Sequence, residues 1–228
     1  NQNLIVASSR GQLQQFTSDG ALSWIGQVSS ENSATIGQVA GDASGNLYLL
    51  GSYQGTTDLD PGPGEHWVTG STTSHSRFVV KISNAGDFQW ATSLVTDTAV
   101  DPSSNTSSTH LALGADSSLV LLGSYRGHVG FLPTSNGHAL PYTADYVSYF
   151  ARLNPANGEV SQAMSYGRQF GTILSFVATT DGYAASGYTG GNEGFHPTPD
   201  ISLPSKGSND AWVMTIDATG AVEWAGLI

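Results

Sequence analysis

The sequence predicts an all-β, β-propeller-like fold of about four four-stranded antiparallel blades, the first lacking one strand. Three observations predict it: an internal repeat of fixed spacing, glycine-bearing hairpin signals between short apolar runs, and no convincing helical apolar stripe anywhere in the chain. Among 228 residues, 39% are hydrophobic and only 11% charged, with 28 glycines, which suits a sizeable core built of short strands and many turns.

The repeat is carried first by three aligned runs. These are Gly45-Asn46-Leu47-Tyr48-Leu49-Leu50-Gly51-Ser52-Tyr53, Ser118-Leu119-Val120-Leu121-Leu122-Gly123-Ser124-Tyr125 and Gly182-Tyr183-Ala184-Ala185-Ser186-Gly187-Tyr188. Seven residues after Gly51, Gly123 and Gly187 come Asp58-Leu59-Asp60-Pro61, Gly130-Phe131-Leu132-Pro133 and Gly194-Phe195-His196-Pro197, with no gap in any copy. Each copy then has an apolar strand and a turn glycine: 78–82 with Gly86, 149–153 with Gly158, and 212–216 with Gly220. The N-terminal stretch fits the same frame through 4–7, Phe16 and Gly20. Four residues beyond the turn glycine stand Trp24, Trp90 and Trp224, with Gln162 in the remaining copy. Their recurrence points to packing between neighbouring blades, because one blade cannot bury both of its faces alone.

Each copy reads as four strands. In the best-defined one they fall near 34–41, 46–53, 77–83 and 87–94, joined by loops such as Asn84-Ala85-Gly86-Asp87, where glycine is free to take positive φ. The single repeat domain divides into a partial blade at 1–32 and blades at 33–100, 101–168 and 169–228. The first copy begins at its second strand, and an open blade edge invites strand pairing with another chain. Self-association through such edges is therefore an expected partnership.

Composition excludes several function classes. A formal net charge of -11, from 18 acidic and 7 basic residues, repels nucleic acid. No run approaches the length needed to insert in a bilayer. With no cysteine, neither disulfides nor thiolate chemistry arise.

The stretch from Asp42 to Gly51, followed by Gly55-Thr56-Thr57-Asp58-Leu59-Asp60-Pro61-Gly62-Pro63-Gly64, resembles the bacterial β-propeller repeat known as SBBP. Phe78-Val79-Val80-Lys81-Ile82 and Gly86-Asp87-Phe88-Gln89-Trp90-Ala91 continue the resemblance, which is strongest over 41–94, and Asp210-Ala211-Trp212-Val213 keeps a related piece. It implies a bacterial protein that is secreted or displayed on the cell surface, in which the propeller is a scaffold or binding module. It implies no single activity.

Candidate sites are few. Asp58, Asp60 and Glu65 set carboxylates around a glycine-rich turn, as a hard cation such as calcium requires. The competing account is a solvated turn stiffened by Pro61 and Pro63, since the aligned positions hold Gly130, Leu132, Gly194 and His196. No other cofactor is expected. The long loops at 54–76, 126–147 and 189–210 carry Trp67, His128, Tyr142 and Phe195, rings that could stack on a glycan or simply pin the loops. The six histidines show no zinc-ligand spacing and read as surface loop residues. With no nucleophile elbow and no phosphate loop, the sequence reads as a non-catalytic extracellular scaffold or adhesion module. A carbohydrate-binding propeller is the alternative, and a secreted hydrolase comes third.

Overall fold

The computed structural model describes residues 4–8, 10–114, 117–132, 139–190, 197–199, 201–204, 207 and 209–228. Among them there is no helix, strands make up 61%, and several antiparallel sheets form, none of them closed. Four sheets follow the chain in order. The first holds Leu4–Ala7, Gln12–Phe16 and Leu22–Gln27. The second holds Ser33–Gly41, Leu47–Gln54, Ser76–Ile82 and Phe88–Thr96. The third holds Asn105–Leu113, Leu119–Gly127, Thr143–Leu153 and Val160–Ser165, and the fourth Thr172–Ala178, Gly182–Gly190, Asn209–Asp217 and Val222–Leu227.

Strand alternation explains the core. Leu47 and Leu49 point to one face of the second sheet and cluster with Val80, Ile82 and Leu13 of the first sheet. Tyr48 and Leu50 point the other way, and cluster with Leu119, Leu121, Ala151 and Leu153 of the third sheet. Val120, Leu122 and Phe150 in turn meet Tyr183, Met214 and Ile216 of the fourth. A strand buried on both faces reads as an unbroken apolar run, which is why the second strand of each copy dominates the repeat. The motif glycines have a steric reason. Gly51, Gly123 and Gly187 stand opposite Phe78, Tyr149 and Trp212. A Cβ on Gly51 would lie 2.2 Å from the Phe78 ring, and one on Gly187 2.5 Å from the Trp212 ring, so only glycine lets the aromatic lie across the strand.

The turn glycines make the joints between sheets. Gly20, Gly86, Gly158 and Gly220 have φ of 85, 93, 75 and 93°, and each donates its N–H back to Thr17, Ser83, Asn154 or Asp217. Three of these turns sit on the preceding sheet. A Cβ at Gly86 would be 3.0 Å from Trp24, at Gly158 2.5 Å from Trp90, and at Gly220 2.8 Å from Met164 Sδ. Polar side chains of the receiving sheet then clamp the arriving turn. Lys81 Nζ and Trp90 Nε1 donate to Pro155 O at 2.8 and 3.2 Å, and Gln162 Nε2 donates to Thr219 O at 2.6 Å. Gln15 Nε2 donates to Asn84 Oδ1 at 3.4 Å, and Arg152 to Ala218 O.

The expectation of three equivalently buried tryptophans needs correction. Trp90 is 7% exposed, Trp24 is half-buried, and Trp224 is 54% exposed. Trp24 and Trp90 each receive a turn from the next sheet, whereas Trp224 receives none among the described residues. The long loops also differ from expectation. Val129–Leu132 adds as a fifth strand to the second sheet by pairing with Phe88–Thr96. Thr56–Asp58 pairs with Ser29–Ser30 and with Trp67–Thr69 in a small separate three-stranded sheet. Leu59 and Phe131, aligned in the repeat, are both buried, so this segment reaches back to the preceding copy in each case.

Candidate functional site

Two of the hollows among the described residues hold a histidine. The first, about 140 Å³, lies where the first strands of the second and third sheets approach, and is lined by Thr35, Gln38, Ser52, Arg77, Thr109 and His110 among others. Gln38 bridges the strands twice, donating through Nε2 to Leu111 O at 2.7 Å and accepting from Leu111 N at 3.0 Å. His110 Nε2 lies 2.8 Å from Ile173 O of the fourth sheet. Burial holds the His110 imidazole below its ordinary pKa; the Ile173 carbonyl opposes that shift and the nearby Arg77 charge adds to it. Arg77 is itself half-buried. It donates from Nη2 to Thr106 O at 3.2 Å, while its buried Nε has no partner. Burial pushes the Tyr149 phenol up to about 12, although Thr109 Oγ1 is 3.1 Å from its hydroxyl. These groups mainly tie one first strand to the next, and Arg77 is the cation they surround. His110 was expected on a loop surface, but it stands within Asn105–Leu113. In sequence it stands between the polar run Asn105-Thr106-Ser107-Ser108-Thr109 and the apolar Leu111-Ala112-Leu113, a boundary that periodicity alone does not read as a polar hollow.

The second hollow, about 340 Å³, is lined by Val95, Asp97, His128, Phe131, Leu132 and Leu140 among others. Its floor is the added strand Val129–Leu132, and its rim is His128, whose ring lies 4.8 Å from that of Tyr142. Tyr142 is 56% exposed. The structure thus brings His128 and Tyr142 together, as two of the four ligand-binding candidates. Trp67, also exposed, stands elsewhere, its Nε1 donating to Glu65 Oε2 at 3.2 Å. Phe195 lies outside the described residues.

The carboxylates proposed for calcium shape their own loop. Asp58 Oδ1 accepts from Asp60 N at 3.0 Å and His66 N at 2.8 Å, and Asp60 Oδ1 accepts from Gly62 N at 2.7 Å. Asp60 Oδ2 folds over Gly64, where a Cβ would lie 2.4 Å from it. Pro61 O, between them, accepts from Gln27 N at 3.0 Å and so fastens the loop to the first sheet. Among the described residues no three histidine or carboxylate groups are placed to hold one metal ion.

No family model and no curated protein matches the chain. Among solved structures it is similar to a crystal structure of a protein of unknown function from Bacteroides caccae, at 11% identity, covering 99% of this chain and 93% of that one, with a TM-score of 0.25.

Proposed function

We propose that this chain is a non-catalytic extracellular scaffold or adhesion module, a propeller-like stack of sheets whose recurring side chains make joints between copies. The observation that carries this reading is the joint itself, made three times by a turn glycine seated on the preceding sheet: Gly86 over Trp24, Gly158 over Trp90, and Gly220 over Met164. The propeller-like reading draws support from the first strands as well. Gln38, His110 and their partners link Ser33–Gly41 to Asn105–Leu113 and that strand to Thr172–Ala178, as radial sheets around one axis require. The extracellular placement rests on the SBBP-like residues 41–94 alone. A panel of hydrolase substrates tests the non-catalytic half. No turnover above buffer is expected, and turnover that is lost in a His110→Ala variant with an unchanged melting curve would refute it.

A second reading, carbohydrate binding, is favoured by one specific feature, the paired His128 and Tyr142 rings at the rim of a hollow that also holds Asp97. A glycan array separates the two. The scaffold reading expects no hit, whereas a hit abolished by Tyr142→Ala establishes the lectin.

A further inference from the structure

We infer that the outer face of the fourth sheet, centred on Trp224, is the docking surface for the first sheet and 17–20 turn of a second copy of this chain. The inference rests on the repeat-scaffold reading above and names its partner.

Its template is the joint that the chain already makes three times. In each, the receiving sheet offers the residue four places after its turn glycine and the side chain paired across from it: Trp24 with Gln15, Trp90 with Lys81, Gln162 with Arg152. The fourth sheet offers Trp224 with Thr215, in the same register and beside the same bulge. No turn occupies that slot among the described residues, and Trp224, Val177 and Tyr188 are left 54, 52 and 40% exposed on this face.

The complementary half stands at the other end of the stack. The Gly20 turn has the same hydrogen bonds as the docked Gly86 and Gly220 turns, Gly20 N to Thr17 O at 2.9 Å and Thr17 N to Ala21 O at 2.9 Å, with φ at 85°, while the Gly158 turn is one residue longer. Yet a Cβ at Gly20 would meet nothing within 4 Å, unlike one at Gly86, Gly158 or Gly220. Cross-strand pairing places Leu4, Phe16 and Leu22 in one row, and Val6, Gln14 and Ile25 in the next. The aligned rows of the second sheet are Leu47, Ile82 and Phe88, then Leu49, Val80 and Ala91, which face the first sheet. In the first sheet Leu4, Val6, Leu22 and Ile25 are 61, 44, 54 and 55% exposed. A plug and a socket of one design are therefore presented at opposite ends of one molecule. Contact between copies is head-to-tail, and it propagates as a filament or closes as a ring of several copies.

The net charge of -11 opposes bringing two copies together. Salt screens that repulsion without weakening apolar contact, so association strengthens as salt is raised.

Sedimentation velocity on the full chain, from low micromolar to high concentration in moderate salt, tests this. Species heavier than the 23.7 kDa monomer are expected, growing with concentration and with salt. Trp224→Ala, on an exposed side chain, should weaken association by about tenfold or more while leaving the melting curve of the dilute protein in place. Geometry is tested by Ser18→Cys with Thr215→Cys in one chain, which otherwise has no thiol. Mild oxidation should give a ladder of cross-linked multiples on a denaturing gel. A cyclised single chain, a failure to cross-link, or a monomer at every concentration overturns the inference. None of those outcomes touches the scaffold reading, which falls only to turnover or to a glycan hit.

Discussion

Trp90 and Trp224 occupy the same place in the repeat and live in different surroundings. Each follows its turn glycine by four residues, and each pairs across its hairpin beside a bulge, with Lys81 and Thr215 respectively. Trp90 has the Tyr48 ring at 6.0 Å, Pro155 O at 3.2 Å from its indole nitrogen, and the Gly158 turn against its face. Trp224 has its own strand beneath it, with Gly226 close under the ring, and is 54% exposed above. The spacing of a repeat encodes where a residue stands on its strand. Burial is decided by what the neighbouring copy brings to that place.

The largest effect should therefore separate these two tryptophans. Trp90→Ala is expected to cost roughly 3–5 kcal/mol of folding stability, because it opens a cavity between two sheets and strips the Pro155 carbonyl of a donor. Trp224→Ala in dilute protein should stay within about 0.5 kcal/mol, as surface changes do. Urea unfolding of both variants at low concentration measures the difference. Equal losses would mean that Trp224 is covered in solution as Trp90 is.

A smaller contrast sits in the turns. Gly158→Ala forces a side chain onto the Trp90 ring at 2.5 Å and adds positive-φ strain, and should cost about 2–4 kcal/mol. Gly20→Ala carries the strain alone, since nothing lies within 4 Å, and should cost about 1–2 kcal/mol. A gap of less than about 0.5 kcal/mol between the two melts would show that the docked turns yield without loss.

Much of this arrangement was legible in the residues. The second copy's strands, expected near 34–41, 46–53, 77–83 and 87–94, lie at Ser33–Gly41, Leu47–Gln54, Ser76–Ile82 and Phe88–Thr96. Alternation and turn glycines set those positions locally, and local signals survive in a single sequence. What was not legible depends on partners far along the chain. Val129–Leu132 looks like the start of a loop, because its pairing partner, Phe88–Thr96, belongs to the previous copy. The buried alignment of Phe131 with Leu59 was the available signal for it. His128 and Tyr142 come together because that added strand brings the loop's two ends to one rim. Trp67 has no such strand to carry it there. The exposure of Trp224 is the same lesson in reverse, since 220–225 repeats the Gly-x-apolar-x-Trp-Ala pattern of 86–91.

The smallest effect is a dependence on pH, and it tests the inner joint rather than the outer one. His110 lies between first strands with its Nε2 on the Ile173 carbonyl, and burial holds its folded-state pKa below the ordinary value of 6.5. The unfolded chain therefore binds the proton more readily than the folded one. Its contribution to stability is present in full above pH 6.5 and is lost as pH falls below that value toward the depressed folded pKa. Arg77 faces the same hollow and adds to the penalty when the imidazole gains its charge. The ordinary range of aspartate lies lower, near 3.8, so a fall in melting temperature between about pH 6.5 and 5 separates histidine from aspartate titration. His110→Gln, which keeps a donor for the Ile173 carbonyl but cannot titrate, should flatten that slope while leaving the melt at pH 8 little changed. A slope that persists unaltered in His110→Gln would place the titrating group elsewhere, and would leave the joint between the third and fourth sheets resting on the apolar contacts of Phe150, Tyr183 and Met214 and on the turn clamps of Gln162 and Arg152.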